Sequence, residues 1–88
     1  GDGMSLIIMD NSLVTYALSY SIDNRDDHER STWICNRIQE NIHHIDQATL
    51  LHIKQLINDH VNDDWDYLEA SPFKRLRTYV VEQLKVYA

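Results

Sequence analysis

Five histidines are many for a sequence of this length, and they lie at His28, His43, His44, His52 and His60. Neutral imidazole is a common zinc ligand, so a metal site has to be considered. On a helix, His52 and His60 would lie two turns, about 12 Å, apart along the axis, too far to share one ion. His43 facing His52, or His60 with Asp64, could supply two ligands, but the sequence has no His-Glu-x-x-His or paired-cysteine motif. We therefore predict no metal site and no cofactor.

Side chains that serve as nucleophiles are present but follow no catalytic pattern. Serine, aspartate, histidine and one cysteine, Cys35, all occur. An activated nucleophile needs a base and an orienting group within hydrogen-bond reach, and no local motif arranges these residues in that way. Cys35 falls on the repeat of an amphipathic helix, where a thiol packs as a small apolar group. We predict that the chain is not an enzyme.

The longest charged segment is acidic, and it contains two aromatic residues. Its carboxylates, with no lysine or arginine among them, are Asp59, Asp63, Asp64, Asp66 and Glu69. Such a run is usually a solvated loop. It could also place negative charge where a nucleic acid's phosphates would lie on a partner, with Trp65 and Tyr67 as central anchors. The candidate partner-binding residues are therefore Asp63, Asp64, Trp65, Asp66 and Tyr67.

The last predicted helix is basic, in contrast to the acidic segment before it. It contains the bases Lys74, Arg75, Arg77 and Lys85 and the single acid Glu82. These bases could contact phosphate, which would make the chain a small helical DNA-binding protein. They do not share one helical stripe, however, and a protein of net charge −6 repels a duplex. We expect them instead to pair with the acidic segment across the fold.

The spacing of apolar residues defines the elements that position these side chains. Between Ser31 and Val61 apolar residues recur every three or four positions, as they do on one face of a helix. The pattern breaks at Ile45, and Asp46 is a suitable N-cap, so we predict two helices folded into an antiparallel hairpin. Its apolar positions are Trp33, Ile34, Cys35, Ile38, Ile42 and Ile45, then Leu50, Leu51, Ile53, Leu56, Ile57 and either His60 or Val61.

One further helix is predicted on each side of the hairpin. The first begins among Asp10, Asn11 and Ser12, which are all N-cap candidates. The last begins with Ser71 as cap and Pro72 in the first helical position, where its missing N–H costs nothing. The expected buried positions are Leu13, Tyr16, Ala17, Tyr20 and Ile22 in the first helix and Phe73, Leu76, Val80, Leu84 and Tyr87 in the last.

These patterns predict an all-α fold, a small four-helix bundle around the central antiparallel hairpin. The helices are expected at Ser12–Ile22, Glu29–His44, Asp46–Asn62 and Ser71–Tyr87. Asp26 or Asp27 is the expected cap of the second helix. The run Leu6–Met9 has no period of its own, and it could be extended or form the first turn of a helix.

Length and composition limit the class of protein. Gly1-Asp2-Gly3 ahead of Met4 looks like the remnant of an expression tag, which leaves residues 4–88 as a single helical domain. The apolar run Leu6–Met9 is too short to cross a bilayer, and a single cysteine fits a reducing compartment. The net charge of −6 argues against nonspecific binding to nucleic acid or anionic lipid. We expect a cytoplasmic protein without membrane contact.

The aromatic residues exceed what so small a core is expected to bury. A domain of this length buries only a little over about 60% of the surface that its unfolded chain exposes. Aromatic side chains left outside the core favour an interface with another copy. We therefore expect a homo-oligomer, with surplus aromatic surface from Tyr16, Tyr20, Trp33, Tyr79 and Tyr87.

One ordered set of residues carries a family resemblance: Tyr16-Ala17-Leu18-Ser19-Tyr20, Arg25, Ser31-Thr32-Trp33, Ile38, Asn41 and the run Leu50-Leu51-Ile53-Leu56-Ile57. It resembles a family of small helical proteins found in bacteriophages and other mobile elements. The likeness spans Tyr16–Ile57, interrupted by an insertion at Asp26–Arg30. The resemblance implies a helical hairpin and no catalytic residue. Such proteins are mostly of unassigned function, and some small acidic phage proteins of this build block host defence complexes by binding them.

Residues and resemblance together lead to one expected function and one alternative. The expectation is a non-enzymatic protein-interaction module, encoded by a phage or mobile element. It would be an anti-CRISPR-like inhibitor that occludes a host nucleic-acid-binding defence complex in the bacterial cytoplasm. The alternative is a small helical DNA-binding or transcriptional regulatory protein.

Overall fold

The computed structural model describes residues 11–61 and 67–87, with the side chains of residues 67–69 outside the description. Within these ranges the chain forms four α-helices and no strand, which confirms the predicted all-α class. The helices are α1 (Asn11–Asp23), α2 (His28–Glu40), α3 (Gln47–His60) and α4 (Tyr67–Leu84). Short 3-10 turns follow α2 at Ile42–His44 and α4 at Lys85–Tyr87.

Two helix starts are fixed by the aspartates that the sequence marks as caps. The side chain of Asp27 accepts a hydrogen bond of 3.1 Å from the backbone N–H of Arg30, at the start of α2. The side chain of Asp46 accepts one of 2.8 Å from the backbone N–H of Thr49, at the start of α3. Each carboxylate satisfies a backbone donor that has no partner inside the helix. Both predicted caps are confirmed.

The α-helix α2 ends earlier than the predicted His44, because Asn41 interrupts it. The side-chain amide of Asn41 donates to the carbonyl oxygen of Arg37 at 2.9 Å, and its backbone N–H bonds to Ile38 at 3.1 Å. An asparagine side chain that bonds to the helix backbone favours termination. The 3-10 turn that follows still directs Ile42 and Ile45 into the core, where both are buried.

The helices are arranged so that α4 packs against both α2 and α3, and α1 also packs against both. The two helices of the predicted hairpin, α2 and α3, make few direct contacts with each other. Each of them packs against α1 and against α4 instead. Hydrophobic periodicity shows which face of a helix is buried but not which helix covers that face, so the sequence could not reveal this.

One hydrophobic core joins all four helices. Its buried members from the predicted hairpin include Ile38 and Ile53, and Val61 rather than His60 is the buried residue at the end of α3. Trp33, predicted on the buried stripe of α2, lies on the surface. The core residues are Val14, Leu18, Ile22, Cys35, Ile38, Ile42, Ile45, Leu50, Ile53, Ile57, Val61, Ala70, Phe73, Leu76 and Val80.

Helix α1 buries a different face from the predicted one. Val14, Leu18 and Ile22 point into the core, whereas Tyr16 and Tyr20 are exposed. The aliphatic and the aromatic residues both recur at helical spacing, so the sequence contained two possible buried faces. A buried tyrosine needs a partner for its hydroxyl group, and a valine or leucine does not. The aliphatic face is therefore the one that packs inside.

Helix α4 begins at Tyr67, one turn before the predicted start at Ser71, so Pro72 lies inside the helix. The extra turn brings Ala70 into the core, and Pro72 itself is fully buried. Proline gives up one backbone hydrogen bond at this position, close to the helix N-terminus. Burial of Ala70, Pro72 and Phe73 offsets that loss, a packing effect that local capping preferences do not contain.

Candidate interaction surface

The outer face of α1 carries a row of exposed apolar side chains. Leu13 is 62% exposed, Tyr16 71% and Tyr20 47%. The spacing of three and then four residues places all three on one stripe of the helix. Between Asp10 and Asp23 the sequence contains no charged residue. This helix therefore exposes an apolar stripe to solvent. The stripe lacks the charged residues that usually occupy the outer face of a helix.

The outer face of α2 carries a stripe of its own, on which Arg30, Trp33 and Arg37 follow one another at spacings of three and four residues. Trp33 is 63% exposed, and the guanidinium group of Arg37 lies 5.9 Å from the centre of its ring. The guanidinium group of Arg30 lies 5.9 Å from the ring centre of Tyr20, so a cation–π contact joins α2 to α1. We call Leu13, Tyr16, Tyr20, Arg30, Trp33 and Arg37 the aromatic face.

The charged members of this face are neutralised by carboxylates on their own helix. Arg30 Nε lies 3.5 Å from Asp27 Oδ2, and Arg37 Nη1 lies 3.6 Å from Glu40 Oε1. These pairs are largely exposed, so each contributes on the order of 0–1 kcal/mol to stability. Both signs of charge are therefore present at the edge of this surface.

An open groove of about 540 Å³ borders this surface. Trp33 and Ile34 supply its apolar lining, and the polar side chains around them are those of Asp27, Glu29 and Arg30. An apolar floor rimmed by polar groups is the usual composition of a protein–protein contact. The groove lets another side chain approach Trp33 from the solvent.

Most of the partner-binding residues predicted from the sequence lie outside the described residues. These are Asp63, Asp64, Trp65 and Asp66. Tyr67 is the first residue of α4, and its side chain is not described. The acidic surface therefore stays a prediction.

The histidines do not converge on one point. His43 and His44 are exposed in the 3-10 turn after α2, and His60 is exposed at the end of α3. His28 Nε2 lies 3.5 Å from the hydroxyl oxygen of Thr32 in the first turns of α2. Among the described residues, no group of three or more His, Cys, Asp or Glu side chains could hold a metal ion.

Cys35 lies on α2 and packs in the hydrophobic core of the bundle, with none of its surface exposed. Burial raises the pKa of its thiol to about 12, although the positive charge of Arg75 opposes part of that rise. A thiol with so high a pKa is almost entirely protonated at neutral pH and is a poor nucleophile. The structure places Cys35 as an apolar packing residue.

The basic residues of α4 take part in local contacts. Arg77 donates a hydrogen bond of 2.8 Å to the side-chain oxygen of Asn58, which ties α4 to α3. Lys85 Nζ lies 3.1 Å from Glu82 Oε2 within its own turn of helix. The predicted pairing of the basic residues with the acidic segment stays a prediction, because most of that segment lies outside the described residues.

Comparison of the chain with protein-family models, with curated proteins and with solved structures finds no match. None of the helices in the described ranges has both the length and the apolar character that a membrane crossing requires. The aromatic face holds four of the nine large hydrophobic side chains that are exposed among the described residues, and it is the candidate binding surface.

The sequence indicates the aromatic members of this face but not Arg30 or Arg37. Its apolar spacing places Tyr16 and Tyr20 on the buried stripe of the first helix, whereas the number of aromatic residues places them on the surface. The signal that decides between the two is the absence of charge between Asp10 and Asp23. A helix that buries one apolar stripe and still has no charge on its other side is typical of an interface.

Proposed function

We propose that this chain is a non-enzymatic protein-interaction module that binds through its aromatic face. The observation that carries the proposal is the exposure of Leu13, Tyr16, Tyr20 and Trp33 on adjoining helices, with cation–π contacts holding two of the rings. Exposed tyrosine, tryptophan and arginine are the residues that most often dominate binding energy at protein interfaces.

The biological setting that we propose follows from the sequence resemblance. A small acidic helical protein of a phage or mobile element would bind a host defence complex and occlude a surface on it. The net charge of −6 supports a complex that handles nucleic acid as the target, since such complexes present basic grooves. In this proposal the acidic residues Asp63, Asp64 and Asp66 steer the approach to the target, and Trp65 and Tyr67 beside them add aromatic contact.

The proposal is tested by affinity capture from a bacterial lysate, followed by mass spectrometry. Trp33→Ala removes the largest exposed ring and leaves the core intact, so the captured protein should be lost or reduced at least about tenfold. Val86→Ala is the matched control. Val86 is 72% exposed in the turn after α4, outside the aromatic face, and its variant should capture the same protein at an unchanged level.

The acidic residues are tested in the same experiment with a variant in which Asp63, Asp64 and Asp66 are replaced by lysine. Capture should fall steeply as salt is raised for the unmodified protein, and much less for this variant. A partner that binds Trp33→Ala as well as it binds the unmodified protein would refute the role of the aromatic face. Retarded migration of a DNA duplex at low salt would favour the DNA-binding alternative instead.

A further inference from the structure

We propose that the aromatic face is occupied by a second copy of this chain, so that the module works as a homodimer with α1 at its centre. This inference rests on the proposed function: the second copy occupies the aromatic face, and the acidic residues of both copies stay available to the host target. It starts from α1, whose two faces are both apolar. Val14 and Leu18 are fully buried on one side, while Leu13 and Tyr16 are exposed on the other. A helix that has an apolar stripe on each of two sides, and no charged residue on either, is typical of an interface.

Charge distribution favours a second copy over a basic partner. A basic partner would be attracted to carboxylates, and α1 presents none before Asp23. An isologous interface brings the same surface of both copies together, so the contact must complement itself. A neutral apolar stripe meets that condition, because it neither repels its own copy nor leaves charges buried without partners. Elsewhere the negative charge of two such chains would keep them apart.

The edge of the face is also self-complementary. Arg30 and Arg37 lie beside Asp27 and Glu40, at 3.5 and 3.6 Å, so both signs of charge are present along α2. Around a twofold axis, each arginine could exchange its own carboxylate for one from the other copy without a change in the number of ion pairs. Such exchange fixes the register of the two copies at little energetic cost.

The size of the face indicates a reversible dimer. With aromatic side chains of about 150–250 Å² each, the exposed parts of Leu13, Tyr16, Tyr20 and Trp33 amount to on the order of 450 Å². A standard interface buries roughly 800 Å² on each partner, and polar residues at the edge would supply the remainder. Because interface area alone does not set affinity, the test spans the micromolar range in which weak, reversible dimers dissociate.

The test is analytical ultracentrifugation or light scattering of the full chain from about 5 to about 500 μM, at low and high salt. A monomer–dimer equilibrium is expected. Salt should tighten it by a few-fold, because screening reduces the repulsion between two chains of charge −6. Binding to a basic partner would weaken with salt, so the sign of the response separates the two occupants.

Variants place the interface on α1. Tyr16→Asp puts a charge into the centre of the contact and should raise the dissociation constant at least about tenfold. Leu13→Asp provides a second variant on the same stripe, and circular dichroism checks that both remain helical. Val86→Asp adds the same charge at an equally exposed site and should leave the equilibrium within about twofold.

A chain that stays monomeric at the highest concentration and at both salt levels would overturn the dimer. Dimerisation that Val86→Asp weakens as much as Tyr16→Asp would overturn it as well. If deleting residues 1–9 turned a monomer into a dimer, that segment would be the natural occupant of the face. Capture of a foreign protein that depends on Trp33 would then leave the proposed function standing while the second copy is ruled out.

Discussion

Asp46 connects two helices through one carboxylate. Its Oδ1 accepts the backbone N–H of Thr49 at 2.8 Å, and its Oδ2 accepts the side-chain amide of Asn11 at 2.9 Å. Hydrogen bonds from Thr49, first from its hydroxyl group and then from its backbone N–H, hold the pKa of Asp46 below its ordinary value of 3.8. A carboxyl group whose pKa is lowered by folding stabilises the protein above the unfolded pKa. That contribution disappears as the pH falls through the folded pKa.

Replacing Asp46 with alanine should therefore lower the melting temperature at pH 7 by roughly 4–8 °C. The difference between Asp46→Ala and the unmodified protein should shrink as the pH falls from about 4 through the lowered pKa of the folded state, because the carboxyl group of the unfolded chain is protonated first and that of the folded protein only at lower pH. Thermal melts followed by circular dichroism measure both effects. Asp59→Ala, which removes an exposed carboxylate at the opposite end of α3, is the control and should not lower the melting temperature. An equal loss at pH 7 and pH 3 would show that the charge is irrelevant.

Burial of Cys35 predicts an unreactive thiol. With its pKa raised to about 12, only about one molecule in 10⁴ carries a thiolate at pH 8. Labelling by a disulfide reagent should be at least about a hundredfold slower in the folded protein than in urea. A matched control moves the thiol by one residue, to the exposed site of Asn36, in a Cys35→Ala/Asn36→Cys variant that should label rapidly. Fast labelling of native Cys35 would reopen a chemical role for it.

Among the elements, α4 connects the bundle. It packs against both α2 and α3, which hardly touch each other, and it contributes Phe73, Leu76 and Val80 to the core. Loss of packing on α4 therefore removes support from two other helices at once. The outer side of the same helix carries Tyr79, which is 47% exposed.

Two aromatic residues on α4 should accordingly differ sharply in their effect on stability. Phe73→Ala leaves a cavity in the core and should lower the free energy of unfolding by about 3–5 kcal/mol. Phe73→Leu retains most of the apolar volume and should cost less than about 1.5 kcal/mol. Tyr79→Ala, the surface control, should stay within about 0.5 kcal/mol. Urea denaturation at low temperature measures all three, and similar losses for Phe73→Ala and Tyr79→Ala would contradict the packing described here.

Helix α1 combines a face that packs in the core and an exposed face, proposed for binding, on one short element. Val14, Leu18 and Ile22 bind it to the core, so the opposite stripe can carry Tyr16 and Tyr20 without a role in folding. This division is why variants on the outer stripe can test binding with the fold unchanged. It also explains why two sets of apolar residues share a single helix.

For the molecule as a whole, small size and net charge have opposite effects on self-association: the small size favours it and the charge opposes it. A domain of 88 residues has a limited core and only a few kcal/mol of net stability to expect from it. A net charge of −6 keeps copies apart except where the surface is neutral. Dimerisation through the aromatic face would cover apolar surface at that neutral place. The acidic remainder of both copies would stay available to a basic target.

The sequence alone determined the parts of the structure that depend on neighbours along the chain. The positions of the helices follow from apolar residues every three to four positions, and the starts of α2 and α3 follow from Asp27 and Asp46. The burial of Ile38 and Ile53 follows from the same period. These are local properties, because a cap or a helical repeat is complete within a few turns.

Only the tertiary structure decided the features that depend on which distant segment packs against a given helix face. It turned Val14 inward and Tyr16 outward, it extended α4 back to Tyr67 past Pro72, and it separated α2 from α3. Each of these outcomes is set by packing between segments far apart in the chain. Periodicity along one helix cannot specify which distant surface will cover it, and the aromatic face is what remained uncovered once α1 had packed.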